Sequence, residues 1–413
     1  MKLIHALQFA FIGVSFSFLA QTTNIEGSKY KFTEIVKLPC TAVQSQGKSS
    51  TCWSFSALSF FESELYRMGI KDVAPLSEMY VVRKAYELKA EKFIRMDGKI
   101  NFGEGGAFHD IPLVIRKFGI VPYAVYTGFP GVRYESSDFT ADGGLKSDAK
   151  PINHGELYKD INSFMQEMLN QLSNENGIDM GWKRNFSKKL DSYLGEDVSE
   201  FEWNGTKYTP KSYATSLRLD MDNYVSLTSF TNHPMYQKCM LEIPDNWAWG
   251  ESYNVGLDDL METAVSALKN GYTLAWGADV SEKGFSFKNG IAIVPKDEST
   301  IAVVGKDSKG FNDAGADRSS SAFLNPVEEL KITPELRQLA YDNKTTTDDH
   351  GMHIVGLFQD QKGVNYFLVK NSWGTNNLPK GFLYVSENYF KYKTINLYLH
   401  KNAIPQEIKN KLK

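Results

Sequence analysis

The sequence predicts an α+β chain of two packed lobes, and three observations predict it. The chain has 413 residues, 42% hydrophobic and 13% aromatic, enough to bury a large core as one catalytic unit. Runs with helical apolar spacing cover 52–68, 75–95 and 257–270. Strand-like runs follow at 272–280, around 350–358 and at 366–370, with His350 opening the second and Asn371 directly after the third.

Residues 1–20 hold one early Lys2 and then an uncharged apolar run, the pattern of a signal peptide cleaved near Ala20. A membrane anchor is the alternative, but the run is short for a span and is interrupted by His5 and Gln8. A secreted or periplasmic location is therefore expected, with no membrane association beyond the signal. In an oxidising compartment Cys40, Cys52 and Cys239 are the only cysteines, and if Cys52 stays a thiolate only Cys40 and Cys239 are left to pair.

I-V-K-L-P-C-T-A-V reads as a strand leading into Q-G-K-S-S-T-C-W. Trp53, Ala57, Phe61, Leu65 and Met68 then recur at helical spacing, which puts Cys52 in the first turn of a mostly buried helix. Unpaired N–H groups and the helix dipole there favour an anion, so the thiol is expected to lose its proton readily. Ser49, Ser50 and Thr51 are capping candidates, and Gly69 is placed to end the helix. A turn rich in Gly and Ser brings the Gln46 amide toward the thiol as an oxyanion donor.

Ser77 is placed to cap the helix over 75–95, and Gly105 and Gly106 precede a third helix closed by Gly119 and Pro122. The middle section, about 140–250, has helical stretches and no catalytic spacing. After the helix over 257–270, ended by Gly271, comes the strand Y-T-L-A-W-G-A-D-V, then a polar surface loop over 296–330 and a short helix with Pro334 in its first turn.

T-T-D-D-H-G-M-H brings two histidines, and Y-F-L-V-K-N-S-W-G brings an Asn at a strand end. A thiol nucleophile needs a base to share its proton and a third group to hold that base in one tautomer. His350 and Asn371 on neighbouring antiparallel strands can serve, with Trp373 shielding their bond from water. His353 falls on the opposite strand face and so packs elsewhere. His109 suits the cleft rim; His154, His233 and His400 have no companions. Charge is nearly balanced, 46 basic against 49 acidic residues, which offers nothing to nucleic acid. No C-x-x-C or H-E-x-x-H spacing occurs, and neither metal nor cofactor is expected.

Taken together, Q-G-K-S-S-T-C-W, the Gly105-Gly106 turn, the long insertion, A-W-G-A-D-V-S-E-K-G-F, D-D-H-G-M-H and N-S-W-G resemble the bleomycin hydrolase and aminopeptidase C branch of the papain-like cysteine peptidases. The resemblance favours His350 over His353, because Gly356 follows His350 by six positions. It implies a papain-like fold with a helical lobe (about 46–140), a long helical insertion (about 140–250) and an antiparallel barrel-like lobe (about 257–405). It also implies Cys52, His350, Asn371 and Gln46 as the catalytic set, Gly105 and Gly106 binding substrate backbone, peptides as substrates, and a homo-oligomer, often a hexameric ring. In that branch the terminal carboxylate enters the cleft and holds the substrate's amino group. Here the C-terminal end is basic, so Glu104 is a candidate substitute, and endopeptidase or dipeptidyl-type cleavage stands beside aminopeptidase activity. A peptide-binding protein without chemistry is a further alternative.

Overall fold

Helix α1 (Cys52–Arg67) is the axis of the structure, buried on every side from Cys52 to Leu65. This computed structural model describes residues 21–147, 150–172, 177–305 and 317–413. The expected signal peptide over residues 1–20 lies outside them. The apolar face of α1, with Trp53, Ala57, Phe60 and Phe61, joins one large core. Its serines are small enough to admit close neighbours, and their hydroxyls are all bonded: Ser54 to Glu78 O, Ser59 to His353 Nδ1, Ser63 to Pro39 O. The helix ends as expected, with Gly69 at φ +90° and Ile70 N–H donating back to Leu65 O.

Helices α2 (Glu78–Arg95) and α3 (Asp110–Phe118) pack against α1. Ser77 caps α2, its hydroxyl accepting from Tyr80 N at 3.0 Å. The middle section adds α4 (Gly155–Leu172), α5 (Trp182–Leu194) and α6 (Pro210–Ser216), whose buried side chains extend the same core. That section also supplies strands Tyr224–Thr228, Lys238–Met240 and Glu251–Asn254 to the main sheet.

On the other side of α1 lies a sheet of 12 strands among the described residues, mostly antiparallel. Its centre is the strand His350–Gln359, which pairs with Leu274–Ala278 at its start, with Phe32–Lys37 toward its end, and with Asn365–Lys370 on its other edge. The N-terminal strand stops at Lys37, short of the expected I-V-K-L-P-C-T-A-V, because Pro39 has no N–H to give the ladder. Helix α7 (Leu257–Lys269) covers the outer face, and the loop expected over 296–330 contains a small hairpin, Ala302–Val304 with Asp317–Ser319. All three cysteines are free; the Cys239 thiol donates to Ser252 O instead of pairing with Cys40.

Candidate functional site

The loop before α1 is held rigidly to the sheet. Gln46 N–H donates to Ser372 O at 2.9 Å, its side-chain Oε1 accepts from Ser372 Oγ at 2.7 Å, and its Nε2 donates to Ser49 O at 2.7 Å. One N–H of the amide remains. Gly47, at φ +57°, passes so close to the chain at Ile152 that a Cβ would lie 2.3 Å from its carbonyl oxygen. Ser49 and Thr51 do not cap α1 as expected: their hydroxyls bond each other at 2.6 Å, and Ser49 Oγ donates to Gln46 O. The first N–H groups of α1 are therefore left uncapped by side chains at Cys52.

Cys52 and His350 both line one narrow cleft between α1, the segment Gly106, Ala107 and Phe108, and the sheet. The strand carrying His350 comes this close to α1 because Gly351 has no side chain: a Cβ there would lie 2.7 Å from Ser56 Oγ and 3.3 Å from Trp53 Cα. The strand carrying His350 thus lies flat on the first turn of α1. His350 Nε2 is 2.7 Å from Asn371 Oδ1, and the Trp373 ring covers the imidazole at a centroid distance of 4.7 Å. His353 points the other way, fully buried on Ser59 Oγ, as the strand alternation requires.

The thiol does not match the expectation of easy ionisation. Burial pushes Cys52 up to about 12, against which the N–H groups of Gly351 and Trp53 pull only part of the way. Burial likewise lowers His350 to about 4, partly offset by its bond to Asn371. Burial thus disfavours the charged form of both groups, and at Cys52 it works against the helix N-terminus.

Of the glycine pair, Gly106 lines the cleft and Gly105 does not, and neither position has room for a side chain. A Cβ on Gly106 would be 2.8 Å from the Trp53 ring and 2.6 Å from Asp110 Oδ2; one on Gly105 would be 1.9 Å from Asp245 Oδ2. Lys89, buried behind the turn, donates to Gly103 O at 2.8 Å and Gly105 O at 2.5 Å. Glu104 is already committed: its carboxylate accepts Ser50 N–H at 3.0 Å and its carbonyl accepts the Trp53 indole N–H at 3.1 Å. It braces the loop before α1 and is not among the residues lining the cleft. The C-terminal residues pack on the sheet side, Ile408 in its core and Lys413 N–H donating to Tyr236 O. His109 lies under Gly250 with Nε2 on Glu251 O, and His233 pairs with Glu242. Sequence reasoning overlooked Asp245 and Asp348 in the cleft; the D-D pair just before His350 was the one available signal.

The model of the peptidase C1-like family matches residues 80–296 and 333–413, with Cys52 ahead of the matched span. Aminopeptidase G of Lactobacillus delbrueckii subsp. lactis is 24% identical over 405 residues, covering 90% of this chain and 83% of the relative. Aminopeptidase C of Lactococcus lactis subsp. cremoris is 22% identical over 392 residues, covering 88% and 82%. Among solved structures, PepW from Lactobacillus rhamnosis HN001 superposes with a TM-score of 0.65 at 17% identity, covering 92% of this chain and 84% of that one, which establishes the papain-like α+β fold.

Proposed function

This chain belongs to the peptidase C1-like family and is a papain-like cysteine peptidase, and from that premise we propose that it is an aminopeptidase acting through Cys52, His350 and Asn371. The observation that carries the reading is the shared cleft of Cys52 and His350, with the far nitrogen of the imidazole held by Asn371. With Nε2–H donated to Asn371 Oδ1, Nδ1 is the nitrogen free to take a proton.

The cycle starts from the neutral pair. As Sγ bonds to the peptide carbonyl carbon, its proton passes to His350 Nδ1, so sulfur and imidazole never carry isolated charges in the buried cleft. Negative charge moves to the carbonyl oxygen, where the Cys52 backbone N–H and the unspent N–H of Gln46 are the donors, each worth about 3 kcal/mol. The C–N bond breaks as His350 returns the proton to the departing amine. Water, deprotonated by the same imidazole, then cleaves the thioester.

Replacing Cys52 by Ala tests this. The expected result is loss of hydrolysis of aminoacyl coumarylamides with an unchanged melting transition, together with loss of labelling by a thiol-directed epoxide. Retained turnover would overturn the assignment and favour a non-catalytic peptide-binding role for the cleft. Cleavage inside amino-blocked peptides would instead favour endopeptidase action. Export follows the same logic: Lys2 followed by an uncharged apolar run supports a secreted or periplasmic enzyme, and fractionation finding the uncleaved chain in the cytoplasm would refute it.

A further inference from the structure

The segment that brings Gly106 to the cleft has no ladder to hold it. Residues 100–106 lie outside any helix or strand, and among the described residues no backbone–backbone hydrogen bond involves them. Buried peptide carbonyls in such a segment need donors from elsewhere. Three consecutive ones have them: Gly103 O and Gly105 O accept from Lys89 Nζ at 2.8 and 2.5 Å, and Glu104 O accepts from the Trp53 indole N–H. Two of these three bonds come from one side chain, so the course of the turn depends chiefly on Lys89.

Lys89 is 1% exposed and forms no ion pair among the described residues. Burial lowers its pKa, while the charges of Asp110, Asp245 and Glu104 act in the opposite direction without touching it. An ammonium group inside the core is costly, and a helix position this buried would be more stable with an apolar residue. What the ammonium supplies is a donor that reaches two carbonyls of the turn at once. The residue that follows them is left unbonded: neither the N–H nor the carbonyl of Gly106 has a hydrogen-bond partner among the described residues, and Gly106 lines the cleft with Cys52. Beyond it the chain is fixed again, with Ala107 N–H donating to Asp110 Oδ2 at 3.2 Å. Gly106 is thus a free backbone unit held between two anchors.

We propose that Lys89 is a positioning residue of the peptidase: by holding the carbonyls of Gly103 and Gly105 it keeps the unbonded backbone of Gly106 in register with Cys52, where substrate backbone pairs with it. The proposal rests on the peptidase reading and adds to it a group that never meets the substrate. Lys89 acts only through the turn, so its loss weakens substrate binding while the thiol and imidazole keep their places on α1 and the sheet.

The experiment compares wild type with Lys89→Met, which keeps the length of the side chain and removes its donors. Hydrolysis of phenylalanyl-4-methylcoumaryl-7-amide gives KM and kcat, and iodoacetamide, too small to need the turn, reports on Cys52 alone. The expected result is a KM raised about tenfold, with kcat and the alkylation rate within about threefold of wild type. Lys89→Arg, which restores charge and donors, should recover part of the lost affinity. KM does not depend on the folded fraction, so partial unfolding leaves the comparison valid, and Lys89→Gln replaces Lys89→Met if that variant does not fold at all. A KM within twofold of wild type, or a fall in kcat and alkylation together with KM unchanged, overturns the proposal and leaves Lys89 a purely structural residue in a working peptidase. Wild-type protein that cleaves no aminoacyl coumarylamide overturns the peptidase reading and this proposal with it.

Discussion

Replacing Asn371 by Ala isolates the contribution of imidazole orientation. Asn371 Oδ1 accepts from two donors, His350 Nε2 at 2.7 Å and Ser372 N–H at 2.8 Å, and both lie in a buried site. Truncation leaves each without its acceptor, and an unsatisfied buried donor costs about 1–3 kcal/mol. The part that falls on Ser372 acts on stability. The part that falls on His350 acts on catalysis, because the ring is no longer held with Nδ1 free for the Cys52 proton. About 1.4–2.7 kcal/mol in the barrier corresponds to about a 10- to 100-fold loss in kcat/KM. The Trp373 ring still covers the imidazole, so some orientation survives and the loss should be smaller than for Cys52→Ala. The assay is steady-state hydrolysis of phenylalanyl coumarylamide, normalised to active sites titrated with a thiol-directed epoxide. A folded variant within twofold of wild type would refute the role of Asn371 in holding the base.

The remaining predictions address pH, packing and stability. Since His350 is lowered to about 4, it stays neutral and able to accept a proton at every pH above that value, so the acid limb of kcat/KM should fall near pH 4; a limb near 6.5 would show a solvated imidazole. Because Cys52 is raised to about 12, its alkylation by iodoacetamide should rise steadily from pH 6 to 9, and a flat profile would indicate a preformed thiolate. Gly106→Ala drives a methyl group into the Trp53 ring and Asp110, so a loss of about 1–3 kcal/mol in urea unfolding is expected together with reduced turnover; unchanged stability would mean the turn moves freely. Arg337 is fully buried and donates to the carbonyls of Ser229, Lys391, Tyr392 and Thr394, so Arg337→Met should cost about 3–5 kcal/mol by stranding several of them, read as a large drop in the urea midpoint.

What the sequence determined by itself is local. The apolar spacing that makes α1, the Ser77 cap, the left-handed stop at Gly69 and the opposite facing of His350 and His353 each depend on a few consecutive residues and their φ/ψ limits. The pattern of motifs also sufficed for the family and the fold. Tertiary structure decided whatever depends on distant segments meeting and excluding water. Glu104 looked free in the sequence and is taken up by Ser50. Cys52 stood at a helix start that favours a thiolate, yet packing around it raises its pKa. Gly351 looked like one more strand residue, although its missing side chain is what lets the strand carrying His350 lie against the first turn of α1. Asp245 and Asp348, about a hundred positions apart, carry no joint signature in the chain. Burial and long-range contact are properties of the packed whole, and no window of neighbouring residues contains them.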